Sequence, residues 1–430
     1  MNNSKEQYKK KMGSQVEKDA LTDQQKFLLN DSKYYCVMPW THLHAYPNGA
    51  AYPCCLAKHE YPIGSMKDNT IEELWNAPDM KEMRTNMLNE KPSKQCEKCY
   101  EQESHGWTSM RESSNVRYGH HIDKVPLTKD DGTYDDVNMV YWDIRFSNLC
   151  NLSCRSCGTW FSSNWYDDQV RLWGDPGHPK VTYAGTTKMD AYEQLIEYLP
   201  MVEQVYFAGG EPLIMEEHYK ILQALIDTGK ADSVRLLYNT NLTRLSYKKT
   251  NVLDIWPEFK DVSVGASLDA MGPRAELMRN GTVWSDVERN REDMLKKCPD
   301  VDFYISPTVG IFNYSHIIDF HNDWVEKGFL GTSDINVNMI QDPVHYRIDV
   351  LPQKLKDEVA PKYKEHIEKI RPHDNLGRAT GGFEAALNMM MAEDRSDMIP
   401  VFKRITGQLD KLRGQETHET FPELTEVLID

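Results

Sequence analysis

The chain is expected to be an α/β protein built on a mainly parallel sheet, and three features of its 430 residues carry that expectation. From residue 138 onward, runs of strand length recur six times. Between them lie stretches of helical periodicity, long enough for the crossovers that parallel neighbours need. A cysteine-bearing segment of different character precedes the repeats, and a wholly helical stretch follows them.

Taken in order, residues 1–33 carry seven lysines and five acids with little apolar periodicity, and read as a polar N-terminal arm. Residues 34–118 hold five of the cysteines and one helix. It opens at a capping box of Thr70 with Glu73 and places Ile71, Leu74, Trp75, Met83 and Met87 on one side. A polar linker occupies 119–137. The strand candidates are 139–146, 204–208, 233–239, 261–268, 301–311 and 334–340, within a domain spanning 138–345. Such a sheet is open or curled into a partial barrel. Residues 346–430 read as helical, with 353–370 and 397–412 the clearest helices and Met389, Met390 and Met391 as core filler.

Hydrophobic residues make up 40% and charged residues 27%, the mean hydropathy is −0.64, and no apolar run approaches 18 residues. A membrane span and a disordered chain are both excluded on this composition. The polar N-terminus has no apolar core of a signal peptide, so the expected location is the cytoplasm. A net charge of −16 repels phosphate backbones, which makes nucleic acid an unlikely partner. In a reducing compartment nine cysteines at tight spacings point to metal ligation or catalysis rather than disulfides.

The most informative string is CNLSCRSC, which sets Cys150, Cys154 and Cys157 just after the first repeat strand. Three thiolates on one loop can hold three irons of a [4Fe-4S] cubane and leave the fourth iron open. The end of a parallel strand is also where α/β folds place their sites. Two glycines in AGGEPL, from Ala208 to Leu213, let the backbone approach a ligand closely, and Glu211 can accept hydrogen bonds from an ammonium group.

The cysteine loop resembles that of the radical S-adenosylmethionine (radical SAM) superfamily. The resemblance implies a partial (β/α)6 TIM-like barrel, SAM bound at the open iron, and reductive cleavage to a 5′-deoxyadenosyl radical that takes a hydrogen atom from substrate. Gly209, Gly210, Glu211 and Pro212 are similar to the family's GGE motif, which holds the SAM amino group. The third strand ends in YNTNLT, similar to a TNG-like end with Leu242 in place of glycine. The resemblance carries ribose and carboxylate contacts over to Ser267 and Arg279, and weaker ones to Asn241 and Asp269. An aromatic residue that the family places before the third cysteine is Ser156 here, with Trp160 and Phe161 as the nearby substitutes.

A second set is C-x12-G-x4-C, Cys36 to Cys54 through Gly49, followed by C-x2-C at Cys96 and Cys99. Four thiolates satisfy a closed site, and chemistry alone leaves zinc and iron-sulfur both open. The spacing is similar to the SPASM and twitch domains that accompany many radical SAM enzymes, which implies an auxiliary [4Fe-4S] cluster. Cys54, rather than the adjacent Cys55, keeps the four-residue gap after Gly49. Here the module precedes the barrel, whereas most relatives carry it after. Cys298 reads as an incidental thiol, and His120 with His121 show no ligand-like pattern.

On the first repeat strand Tyr141, Asp143 and Arg145 share one face, opposite Trp142, Ile144 and Phe146. Charges inside a parallel sheet are costly unless paired or functional, so Asp143 and Arg145 are candidate catalytic residues, with a structural ion pair as the rival. The expected activity is hydrogen abstraction from a peptide or a small polar substrate, with SAM and two [4Fe-4S] clusters as cofactors. A flavodoxin or ferredoxin would supply electrons and no membrane would be involved. Redox-neutral radical chemistry and a non-enzymatic metal scaffold are the rivals.

Overall fold

The structure is a computed structural model that describes residues 21–106 and 108–429. Most of the polar arm therefore lies outside the described residues. Its described end forms a helix, Asp23–Asn30, capped by Thr22 and Gln25 and burying Leu28.

The chain divides into two compact units. The first comprises residues 1–147, 182–209 and 216–236. Its sheet has the order β5-β4-β1-β2-β3, where β1 is His42–Ala45, β2 Ala50–Tyr52, β3 Gly64–Ser65, β4 Tyr141–Ile144 and β5 Gln204–Phe207. β1 and β2 form a hairpin that turns at Gly49, whose φ of +93° favours glycine. β4 pairs in parallel with β5 on one side and with β1 on the other, His44 standing opposite Asp143. The cysteine-bearing hairpin thus extends the sheet from β4, a long-range pairing with no signature in either segment.

The single helix expected from residue 70 is two, Ile71–Trp75 and Pro78–Leu88. The Thr70–Glu73 capping box is present, but Pro78 cannot continue a helix and starts the second one instead. Nor is the polar linker free of structure: Gly119–Leu127 is a 3-10 helix whose Ile122 and Val125 are buried. Their i, i+3 spacing suits that tighter turn. Arg84 is buried beside this segment and donates to the carbonyls of Pro39, Trp75 and Gly132.

The second unit comprises residues 148–181, 210–215 and 237–430. Its strands follow the order β6-β7-β8, with β6 Arg235–Thr240, β7 Asp261–Ala266 and β8 Asp302–Ile305. β7 and β8 are parallel. The fifth run, 301–311, splits because Pro307 offers no N–H. Thr308–Val309 then pairs in parallel with Asn338–Met339, all that is strand of the sixth run. The crossovers that follow β7 and β8 are helical, at Trp284–Lys297 and His316–Glu326, whereas the one between β6 and β7 holds a short ribbon of Ser246–Tyr247 with Thr250–Asn251 and two 3-10 turns. Beyond the barrel, Gln353–Ile370, Arg378–Ala392 and Ile399–Arg413 are helices. Of the three consecutive methionines only Met390 is buried, since successive helical residues point about 100° apart. Among the described residues no helix is long and apolar enough to cross a membrane.

Candidate active site and auxiliary cluster site

The loop after β4 is shaped by local bonds. Ser153–Cys154 and Arg279–Asn280 pair as a short antiparallel ribbon, with Arg279 directly opposite Cys154. The carbonyl of Cys154 accepts from Cys157 N at 3.0 Å and from the Trp165 indole at 2.5 Å, and Cys150 N donates to Ser163 Oγ at 3.2 Å. Between the cysteines Arg155 is buried, pairs with Asp410, and donates to Gln415 at 2.8 Å. Arg413 pairs with Asp168 at 2.8 Å and lies over the Trp165 ring. The helix Ile399–Arg413 and the residues just after it therefore fasten the cysteine loop, a role with no signal in the sequence.

Burial pushes all three thiols up, Cys157 to about 12, and the neighbouring cysteines push Cys150 and Cys157 up further. Such a set is ionised only around a strongly positive centre. The remaining thiol of this unit, Cys298, donates to Leu253 O, so one corner of a cubane has no cysteine. The donor set fits a [4Fe-4S] cluster with one open iron.

Around this loop stand the residues singled out from the sequence. Arg279 Nη1 is 3.8 Å from Cys154 Sγ, and its Nε and Nη2 grip the Asp269 carboxylate at 2.8 and 3.0 Å. Asp269 also accepts from Thr308 N at 2.8 Å, which fixes it as the holder of the guanidinium. Gly209 has φ +125°, and a Cβ there would lie 3.2 Å from Arg145 Cβ. A Cβ on Gly210 would lie 2.1 Å from Leu149 O, so this backbone packs where only glycine fits. Pro212 is buried.

Glu211, expected as an ammonium acceptor, is buried and already accepts from Asn241 N at 2.7 Å, Thr240 Oγ1 at 2.8 Å and Leu213 N at 3.1 Å. A carboxylate has about four acceptor places, so one is left. Burial pushes its carboxyl up to about 7 in spite of those donors. Asn241 donates to Asn151 Oδ1 in the cysteine loop at 3.0 Å. Leu242 adopts φ +56°, the left-handed backbone that glycine supplies in a TNG-like end. Ser267 donates its N–H to Thr240 O at 2.7 Å and is half-buried. Trp160 is exposed and stacks on His178.

In the first unit Asp143 is completely buried and paired with His44 Nδ1 at 2.9 Å and with Arg145 Nε at 3.5 Å. Burial alone would raise its pKa, but His44 and Arg145 outweigh it and hold the carboxyl below the usual range. The ion-pair reading of Asp143 and Arg145 thus describes their contacts, with His44 as a third member that the sequence did not suggest. Arg145 lies over the Tyr46 ring at 5.1 Å, and its outer nitrogens make no hydrogen bond among the described residues.

The second set converges. Cys36, Cys54, Cys96 and Cys99 line one cavity with Met38, Leu56, Met110 and Arg111. Arg111 is buried and held by both Glu103 oxygens, at 2.8 and 2.6 Å. Burial, together with neighbouring thiols, pushes Cys36, Cys54 and Cys96 up, the behaviour expected of ligands without their metal. Cys55 is not part of that lining, and its thiol is pushed up to about 12 by burial and the Asp143 charge. Iron analysis distinguishes the two neighbours: Cys54→Ala is expected to lose about four irons per chain, the content of one cubane, while Cys55→Ala keeps them.

Comparison with known families completes this picture. Residues 144–323 match the radical SAM superfamily and residues 36–100 match SPASM, an iron-sulfur cluster-binding domain. The chain belongs to the radical SAM superfamily. It is a radical SAM enzyme that uses SAM and a [4Fe-4S] cluster, with further iron-sulfur bound by a SPASM domain placed ahead of the barrel. Among solved structures it is similar to histidine-tagged anSMEcpe with bound AdoMet, at 19% identity over 54% of this chain and 58% of that chain, TM-score 0.38. A second is native anSMEcpe with bound AdoMet and Kp18Cys peptide, at 19% over 54% and 60%, TM-score 0.37. The chain spans about three fifths of the length of these structures. No curated protein matches it.

Proposed function

We propose that this radical SAM enzyme is an oxidoreductase that takes hydrogen from a polar substrate, a peptide or protein side chain or a sugar-like alcohol, with the SPASM-domain cluster accepting the substrate's electron. The observation that carries the reading is the contrast between the two cysteine sets: three thiols on a loop beside a held guanidinium, and four lining a cavity of their own. Bound SAM supplies a 5′-deoxyadenosyl radical on one-electron reduction.

In this reading Cys150, Cys154 and Cys157 hold three irons, and Cys36, Cys54, Cys96 and Cys99 hold the auxiliary cluster. Arg279, kept in place by Asp269, takes the SAM carboxylate, and Glu211 offers its remaining acceptor place to the SAM ammonium. Gly209, Gly210 and Pro212 bring the backbone close, and Asn241 and Ser267 face the ribose. Arg145 turns its unbonded outer nitrogens to the substrate, and Asp143 orients it. A flavodoxin or ferredoxin is the reductant, and the domain limits 34–118 and 138–345 mark the cluster lobe and the barrel.

Anaerobic reconstitution followed by reduction with SAM tests this. About eight irons per chain are expected from two cubanes, together with 5′-deoxyadenosine; four irons, or no nucleoside product, would sink the proposal. The Glu211 carboxyl adds a pH signature. Its ordinary value of 4.5 is raised to about 7, so it is largely protonated below that pH and gains the charge that attracts an ammonium above it. SAM binding is expected to tighten as pH rises from 6 to 8, and Glu211→Gln to flatten the profile, read by equilibrium binding.

A further inference from the structure

We infer that His120, His121 and Glu203 form a binding site for a divalent first-row metal ion, distinct from both cysteine sets. The two histidines follow each other in the 3-10 helix Gly119–Leu127, and Glu203 stands immediately before β5, 82 residues on from His121. His120 Nε2 lies 3.0 and 3.1 Å from the two Glu203 oxygens, and His121 Nε2 lies 2.9 Å from one of them. One ligand atom from each residue falls within 4.8 Å of the others. An ion bound at about 2.0–2.2 Å from each ligand keeps those ligands roughly 3–3.5 Å apart, so small side-chain adjustments bring all three onto one ion.

The chemistry of the set points the same way. Two imidazoles and a carboxylate suit zinc, cobalt, manganese or iron, and three ligands leave room for water. The backbone fixes the site, since Glu203 N and Gln204 N both donate to Val140 O, at 2.8 and 3.0 Å. Glu203 makes no ion pair with lysine or arginine among the described residues. The side chains are 21%, 12% and 38% exposed, open enough for an ion to enter. A bound ion would fasten the segment after the cluster lobe to the start of β5, all within the first unit.

The test uses the reconstituted holoenzyme, whose thiols are already occupied by iron. Mn²⁺ is titrated into the oxidised protein and followed by loss of the free-ion EPR signal, then displaced by Zn²⁺. One ion per chain is expected, with Zn²⁺ raising the unfolding temperature. Glu203→Gln and His121→Ala are each expected to weaken binding at least about tenfold and to abolish the thermal shift, with iron content unchanged. His120→Asn provides the same reading should either variant fold poorly. No stoichiometric Mn²⁺ or Zn²⁺ binding, or equal affinity in wild type and a folded variant, overturns the site.

Discussion

The Cys154→Ala protein is expected to retain about four irons per chain, those of the auxiliary cluster, and to form no 5′-deoxyadenosine above background. Cys154 sits opposite Arg279 in the short ribbon, with Arg279 Nη1 at 3.8 Å from its sulfur, so in the proposed reading the substitution removes a cluster ligand while Asp269 keeps the guanidinium in place. The loop itself should persist. Its Cys154 carbonyl still receives Cys157 N and the Trp165 indole, and Arg155 still pairs with Asp410. Iron analysis, nucleoside assay and near-ultraviolet circular dichroism together check this. Nucleoside formation by Cys154→Ala at the wild-type rate would remove the thiol from the radical site.

Gly210→Ala is expected to be the most damaging single methyl in the chain's second unit. The added carbon would lie 2.1 Å from Leu149 O and 2.6 Å from its carbonyl carbon, both backbone atoms. No flexible side-chain tip can yield, so the cost should exceed the usual 1–3 kcal/mol of overpacking and reach about 3 kcal/mol or more. The displacement would also disturb Glu211, whose N–H donates to Leu149 O at 2.8 Å. The expected result is a lower unfolding temperature and weakened SAM binding. Gly158→Ala is the control: a Cβ there meets nothing within 4 Å, and a change within about 0.5 kcal/mol is expected. Equal effects in the two variants would refute the steric argument.

Part of this arrangement is legible in the chain itself. The cysteine spacings, the GGEP string and the alternation of strands with helices are local signals, because a loop's ligands and a strand's faces are set by neighbours a few residues apart. Pro78 and Pro307 broke elements for an equally local reason, and both are visible in the chain. Leu242 was less transparent. Leucine rarely adopts φ +56°, and it is held there by bonds to Thr240 Oγ1 and Asn290 Nδ2.

Other partners had no local trace. His44 meets Asp143 because β1 joins the sheet beside β4, a pairing across about 100 residues. Arg155 meets Asp410 across 255 residues, and His121 meets Glu203 across 82. Backbone pairing and chain closure bring such groups together, and hydropathy periods record nothing of it.

The division of nine cysteines by spacing into three, four and two left over pointed to metal chemistry, its resemblance to known motifs pointed to SAM, and the alternation of strand and helix runs pointed to the parallel α/β frame. Ligand spacing is a property of a short stretch of chain, so it survives translation into sequence. Which acid holds Arg279, which helix fastens the cysteine loop, why Cys54 rather than Cys55 lines the cavity, and what stands beside the two histidines depended on how distant segments pack. Those contacts exist only after the sheets have formed, because their distances are fixed by strand register and helix docking and not by the order of residues.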